Sequence, residues 1–275
     1  MVLTTQNKGG ITGRGTSRVA RLHPGMVLGL LRELRAAAQE DEPLVVEGAP
    51  ALAEALRREL GAGARPGWVR GGSPEGAAAV VYVLAGEPSE EDLRFFREAA
   101  RSRVPVVAVL AGPELDPRVP YVLATDVVRV PAGSGFPVEE IAHVLARRVG
   151  EAATSLAAAL PVLRPAVCEE LIERFSRRNG LIGAAVFLPG TDFPVLTMNQ
   201  LRLVLRLAAA HGVEVDQQRA PEILAVVGSG LGFRALARQV VGVVPVAGWA
   251  AKGAIAYSGT RALGEAARRY FEARA

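Results

Sequence analysis

What most limits the fold of this chain is a pair of unbroken apolar runs, AAAVVYVLAG over residues 77–86 and VPVVAVLAG over residues 104–112. Both are short, rich in Val, and closed by a glycine. Continuous rather than alternating apolarity marks a strand covered on both faces, the condition of a parallel sheet. Between the runs, Ser89 precedes Glu90, Glu91 and Asp92. A hydroxyl followed by acids starts a helix: the side chain accepts from first-turn amides, and the acids sit at the positive end of the dipole. The helix is expected to reach about Ser102. The same alternation extends both ways. Residues 26–39 carry a wide apolar helical face, PLVVEG (43–48) reads as a strand and 51–60 as a helix. VVRVP (127–131) is a further strand, and 137–149 a helix with acids early and Arg147 and Arg148 late. A three-layer, doubly wound parallel α/β sheet over about residues 40–150 follows.

From Glu151 onward the pattern is helical, interrupted by Pro161, Pro165, Pro189, Pro194, Pro221 and Pro245. Helices are expected at 169–178, 196–211, 223–242 and 248–273. The chain therefore divides into a basic flexible arm (1–25), an α/β domain (26–150) and an all-α helical domain (151–275). The boundary near 150 is a change of period, not a flexible linker.

Half the residues are apolar and 22% are charged, a composition that can bury a core and excludes a disordered chain. Cys168 is the single cysteine, and His23, His143 and His211 lie far apart. Neither a disulfide framework nor a ligand-spaced metal cluster is encoded, and no cofactor is expected. No G-x-S-x-G context surrounds any serine. Among the basic residues only Lys8 and Lys252 are lysines, and the net charge is +4. Residues 1–150 carry 18 basic and 18 acidic side chains, and residues 151–275 carry 14 and 10. No acid occurs between residues 223 and 263, nor before residue 33. The N-terminus lacks the apolar core of a secretory signal, so the expected location is the cytoplasm or the cytoplasmic face of the inner membrane. The window 239–260 contains one charge, Lys252, and a central Pro245. It allows a membrane span, or a buried or interfacial helix pair.

A strand, a glycine and a helix form the setting for a phosphate loop, G-x-x-x-x-G-K-[ST]. The segment in that position is GAPALAEA (48–55). Gly48 matches. Ala53 replaces the second glycine, Glu54 the lysine and Ala55 the hydroxyl residue. Glu54 would set a negative charge against phosphate.

The run from residue 77 to 116 resembles the middle of an Era/EngA-type small GTPase domain. The resemblance implies a base-reading N-K-x-D after the strand VVAVLA, where this chain has Ala111, Gly112, Pro113 and Glu114. The metal-linked D-x-x-G is absent, and too few residues separate 60 from 77 for two switch segments. The implied domain is a degenerate P-loop GTPase-like fold without its chemistry; an ordinary Rossmann-like domain is the other reading. Neither is expected to hydrolyse GTP.

Residues 180–272 resemble the YcjF-type domain, domain of unknown function 697. The features that carry this are Pro189 and Asp192, Gln200, the cluster Gly228, Gly230 and Gly232, Pro245 to Gly248, and residues 260–264 ahead of Tyr270 and Phe271. The resemblance implies company with a GTPase-type domain and, in some relatives, membrane association. From the residues themselves, the small-xxx-small pairs Ala250/Ala254, Ser258/Ala262 and Ala262/Ala266 let helices approach closely in water or lipid. Acid-free basic charge around Lys252 favours an anionic surface.

Single residues take two readings each. Asp192 serves a helix start or acts as a functional carboxylate. Cys168 reads as an inert buried thiol, and His211, before Gly212, as a helix C-terminal cation. The Arg pairs 57/58, 147/148, 177/178 and 268/269 are solvated helix faces or contacts for anionic partners. The function expected is a non-catalytic adaptor or regulatory protein, binding a protein partner or a second copy of itself near a membrane. Alternatives are a degenerate nucleotide or small-ligand sensor near Gly48 and Gly112, and, less favoured, a soluble nucleic-acid-associated protein.

Overall fold

In the computed structural model the described residues are 42–112, 118–185, 193–214 and 249–274, with isolated helical positions 29 and 32. Five strands form one sheet: β1 (Leu44–Gly48), β2 (Val69–Arg70), β3 (Ala79–Leu84), β4 (Val106–Leu110) and β5 (Val127–Arg129). All are parallel, in the order 2-1-3-4-5. Val45 aligns with Val80 and Val80 with Val106, so apolar rows cross the sheet in register. Alternate residues bury on opposite faces, which is why these strands carry no polar face. Leu44, Val46, Val81, Val83, Val107 and Val109 look one way, and Val45, Val80, Tyr82, Ala108 and Leu110 the other.

Helices α1 (Pro50–Leu60) and α3 (Val138–Val149) cover the first face, and α2 (Glu90–Arg101) packs on the second. Helix α1 buries Ala53, Leu56 and Leu60, one turn apart. The start of α2 forms as expected. Ser89 accepts from the Asp92 amide while the Asp92 carboxylate accepts from the Ser89 amide, a full capping box. Asp92 also accepts a 2.5 Å hydrogen bond from Tyr82 Oη. The Tyr82 ring meets Phe96 edge-on at 4.7 Å and ties α2 to β3.

Four further helices follow: α4 (Ala153–Ala159), α5 (Arg164–Ala185), α6 (Phe193–Ala210) and α7 (Trp249–Glu272). The expected helix at 169–178 is thus the middle of a much longer one. Residues 196–211 and 248–273 form close to where periodicity places them. The basic arm, most of the helix expected at 26–39, and the one at 223–242 lie outside the described residues. The core does not stop at residue 150. One apolar cluster runs from Leu44 and Val46 through α1 and α3 into Leu156, Ile172, Leu205 and Phe271. The Arg65 amide donates to the Ala159 carbonyl at 2.9 Å, adding a backbone link between the two halves.

Helices α5 and α7 run antiparallel at very short range. A methyl group added at Gly183 would lie 2.8 Å from the Ala256 Cβ and 3.1 Å from the Lys252 carbonyl oxygen. One added at Gly253 would lie 2.9 Å from the Gly180 carbonyl oxygen. Small residues here serve helix-on-helix packing, although the contact uses Gly180, Gly183 and Gly253 rather than the Ala and Ser pairs picked out by spacing. Among the described residues no helix is long and apolar enough to cross a membrane.

Candidate functional site

In open α/β sheets ligands bind beyond the carboxyl ends of the strands, where the order reverses. Here that point lies between β1 and β3, at Gly48. The connection from β1 to α1 is a single residue, Ala49, and Pro50 is the first helical residue. A phosphate loop has no chain to form from. Gly48 has φ +114°, and a Cβ there would sit 2.0 Å from the Val83 carbonyl oxygen. The Ala49 amide donates to that oxygen at 2.8 Å. Gly48 is therefore glycine because β3 passes against it, and the amide that would face a phosphate is already used.

The other positions of GAPALAEA fall inside α1. Ala53 is buried in the core beneath the helix. Glu54 is exposed and pairs with Arg57. Ala55 is half-buried one residue further on. Arg57 also donates to the Val46 carbonyl at 3.0 Å, and Glu47 accepts from the Gly72 amide. These contacts close the top of β1 with the protein's own groups. At the end of β4 the Ala111 amide donates to the Leu84 carbonyl at 2.8 Å, and Gly112 follows in a bend. Glu114 lies outside the described residues.

A cavity of about 340 Å³ does open against the sheet, but at its opposite, N-terminal edge. Arg103 and Tyr121, the two non-glycine residues with positive φ among those described, both line it. At its floor Asp126 is 2% exposed, with Oδ2 2.7 Å from Arg148 Nε.

In the helical half the structure gathers a polar cluster at the junction of α5, α6 and α7. Asn179 Nδ2 donates to Thr260 Oγ1 at 2.9 Å. Asn199 Nδ2 donates to Asn179 Oδ1 at 2.8 Å. Gln200 Nε2 reaches Thr260 Oγ1 at 3.3 Å, and that hydroxyl donates to the Ala256 carbonyl. All four side chains are buried. Gln200 is thus a shared structural contact of three helices. Asn179 and Asn199 were not singled out by sequence reasoning. Their one signal is that each falls in phase with an apolar stripe, Asn179 one turn after Phe175 and Asn199 beside Met198. Lys252, half-buried, lends its carbonyl to the close approach at Gly183. Asp192, Gly228, Gly230, Gly232, Pro245 and Gly248 lie outside the described residues.

The Arg pairs are not uniformly solvated faces. Arg57 reaches the β1 backbone, Arg148 pairs with buried Asp126, and Arg268 with Glu265 and Glu272. His211 ends α6, its Nδ1 2.8 Å from the Leu207 carbonyl, and Gly212 follows at φ +76°. Cys168 is buried, and burial pushes its thiol up to about 12. Among the described residues no group of His, Cys, Asp and Glu could hold a metal ion.

Comparison of the chain with family models, curated proteins and solved structures finds no match.

Proposed function

We propose that this protein is a non-catalytic adaptor, an α/β module fused through a common core to a helical module that meets a membrane surface or a protein partner. The observation that carries the reading is the closed β1–α1 turn. With one residue between strand and helix, and the Ala49 amide bound to Val83, the place where such sheets hold phosphate is filled by the chain itself. This reading does not need GTPase ancestry, since 2-1-3-4-5 is the flavodoxin-like strand order.

The surface to which a partner would bind is favoured at the end of the helical layer. Leu181 is 71% exposed and Ile255 39% exposed, and they sit at the same level of the antiparallel α5–α7 pair. Val195 at the start of α6 is 47% exposed. Exposed apolar side chains near a basic, acid-poor stretch suit an anionic interface.

Two measurements test this. Guanine and adenine nucleotides should leave the melting temperature of the full chain unchanged; a rise of several degrees would show a working nucleotide site. In flotation with anionic vesicles or in pull-down of a second tagged copy, Leu181→Asp with Ile255→Asp should abolish association. Association unchanged by both substitutions removes this surface from the reading.

A further inference from the structure

Two arginine pairs face one another across the α5–α6 interface. Arg174 and Arg178 on α5, and Arg202 and Arg206 on α6, are each four residues apart and so share a helix face. With Phe175 and Glu151 they line a cavity of about 80 Å³. Glu151, from the 3-10 turn Gly150–Ala152, spans the two helices. Its Oε1 accepts from Arg174 at 2.9 Å and its Oε2 from Arg206. The Arg206 side chain is 6% exposed, and its guanidinium lies 5.9 Å from the centre of the Phe175 ring. Arg178 is exposed at the mouth and makes no hydrogen bond or ion pair among the described residues.

The ionisable groups lining this space are four guanidinium groups and one carboxylate, a net +3. Like charges four apart on a helix repel, and a second such pair opposite adds to the repulsion. Burying Arg206 further raises the demand for negative charge nearby. Each guanidinium offers planar forked donors that match an oxyanion and stay charged at any physiological pH. The cavity has room for one small tetrahedral group in place of the few waters it would otherwise hold.

We propose that this cavity is a binding site for a phosphate-type oxyanion, either free phosphate or the phosphate of a lipid headgroup. Arg174 and Arg178 at the mouth are the direct ligands, and the Glu151–Arg206 pair holds the two helices in register behind them. The assignment is independent of the adaptor reading, because it concerns a different part of the chain and a different occupant.

Equilibrium dialysis of the full chain against radiolabelled inorganic phosphate tests it. One saturable site per chain is expected, weakened by added salt. Arg178→Gln, at an exposed position, should lower the affinity at least ~10-fold, the size of one charge-assisted hydrogen bond. Arg177→Gln removes the same charge one residue away, where the side chain pairs with Glu173 instead, and should leave binding unchanged. Thermal melting of both variants checks that they fold.

Flotation with phosphatidylglycerol vesicles identifies the source. If Arg178→Gln loses vesicle binding and inorganic phosphate competes, the occupant is a headgroup. If vesicle binding is equal in both variants while dialysis separates them, it is a soluble phosphate. Absence of saturable binding up to about 10 mM phosphate, a free energy below that of a useful site, overturns the proposal. So does an equal loss in both variants, which would mean diffuse charge.

Discussion

Replacing Thr260 by Val separates the buried polar cluster from ordinary packing. The two side chains are nearly the same size, and transfer of a methyl for a hydroxyl into an apolar interior is favourable by itself. At this position the hydroxyl oxygen is the acceptor for Asn179 Nδ2 at 2.9 Å and for Gln200 Nε2 at 3.3 Å. Valine leaves both donors buried without an acceptor. A stranded buried donor costs about 1–3 kcal/mol. The longer Gln200 contact belongs at the bottom of that range, so the pair sums to roughly 2–4 kcal/mol, less the modest gain from the extra apolar contact. Thr260→Ser keeps the oxygen and loses one methyl group, about 1 kcal/mol. Urea denaturation of the full chain should give a midpoint that falls in the order wild type, Ser, Val, with unchanged slope. If valine proves as stable as serine or more so, the cluster is not satisfied in the way described, and the helices are held by apolar packing alone.

Four further outcomes follow from other contacts. Gly48→Ala should destabilise by roughly 3 kcal/mol or more, from a disfavoured φ and the clash with Val83, whereas Gly86→Ala, with open space around its Cβ position, should stay within about 0.5 kcal/mol on the same urea assay. Cys168 should resist alkylation in the native protein at pH 8 and react promptly in denaturant, since burial keeps its sulfur a protonated thiol; fast native labelling would contradict its burial. Burial pushes the Glu151 carboxyl up, but the hydrogen bond and charge of Arg206, with Arg174 behind it, outweigh this and hold it below the ordinary range. A lowered native pKa gives stability that is complete above the unfolded-state value near ~4.3 and lost as pH falls through the native one. The urea midpoint of the wild type should therefore fall more steeply than that of Glu151→Gln on acidification below about pH 5, and parallel curves would refute the pairing. Gly183→Leu should force α5 and α7 apart and lower thermal stability sharply, while Gly150→Ala tests only a positive φ and should cost about 1–2 kcal/mol.

Much of the α/β half is readable locally, because a strand covered on both faces writes its environment into consecutive residues. The runs that became β3 and β4, the Ser89 start of α2 and the acid-to-base gradient of α3 all formed where the residues place them. The strand Val69–Arg70 is two residues long and has no period to detect, yet it decides the sheet order. The match of GAPALAEA to a phosphate loop shows the limit of spacing. Gly48 looks like a ligand-binding glycine until β3, thirty-five residues further on, is seen to press against it.

By itself the amino-acid order determined which segments are strands and helices, since burial pattern, caps and charge gradients act within one or two turns of chain. Only the tertiary structure decided what those elements do together. It turned Gly48 from a phosphate position into a packing contact, and Gln200 from a candidate functional residue into part of a buried cluster with Asn179 and Thr260. It also set Arg178 opposite Arg202 across a cavity. Hydrogen bonds, close approach and electric fields depend on distance in space, and residues 81 positions apart, as Asn179 and Thr260 are, carry no local trace of one another.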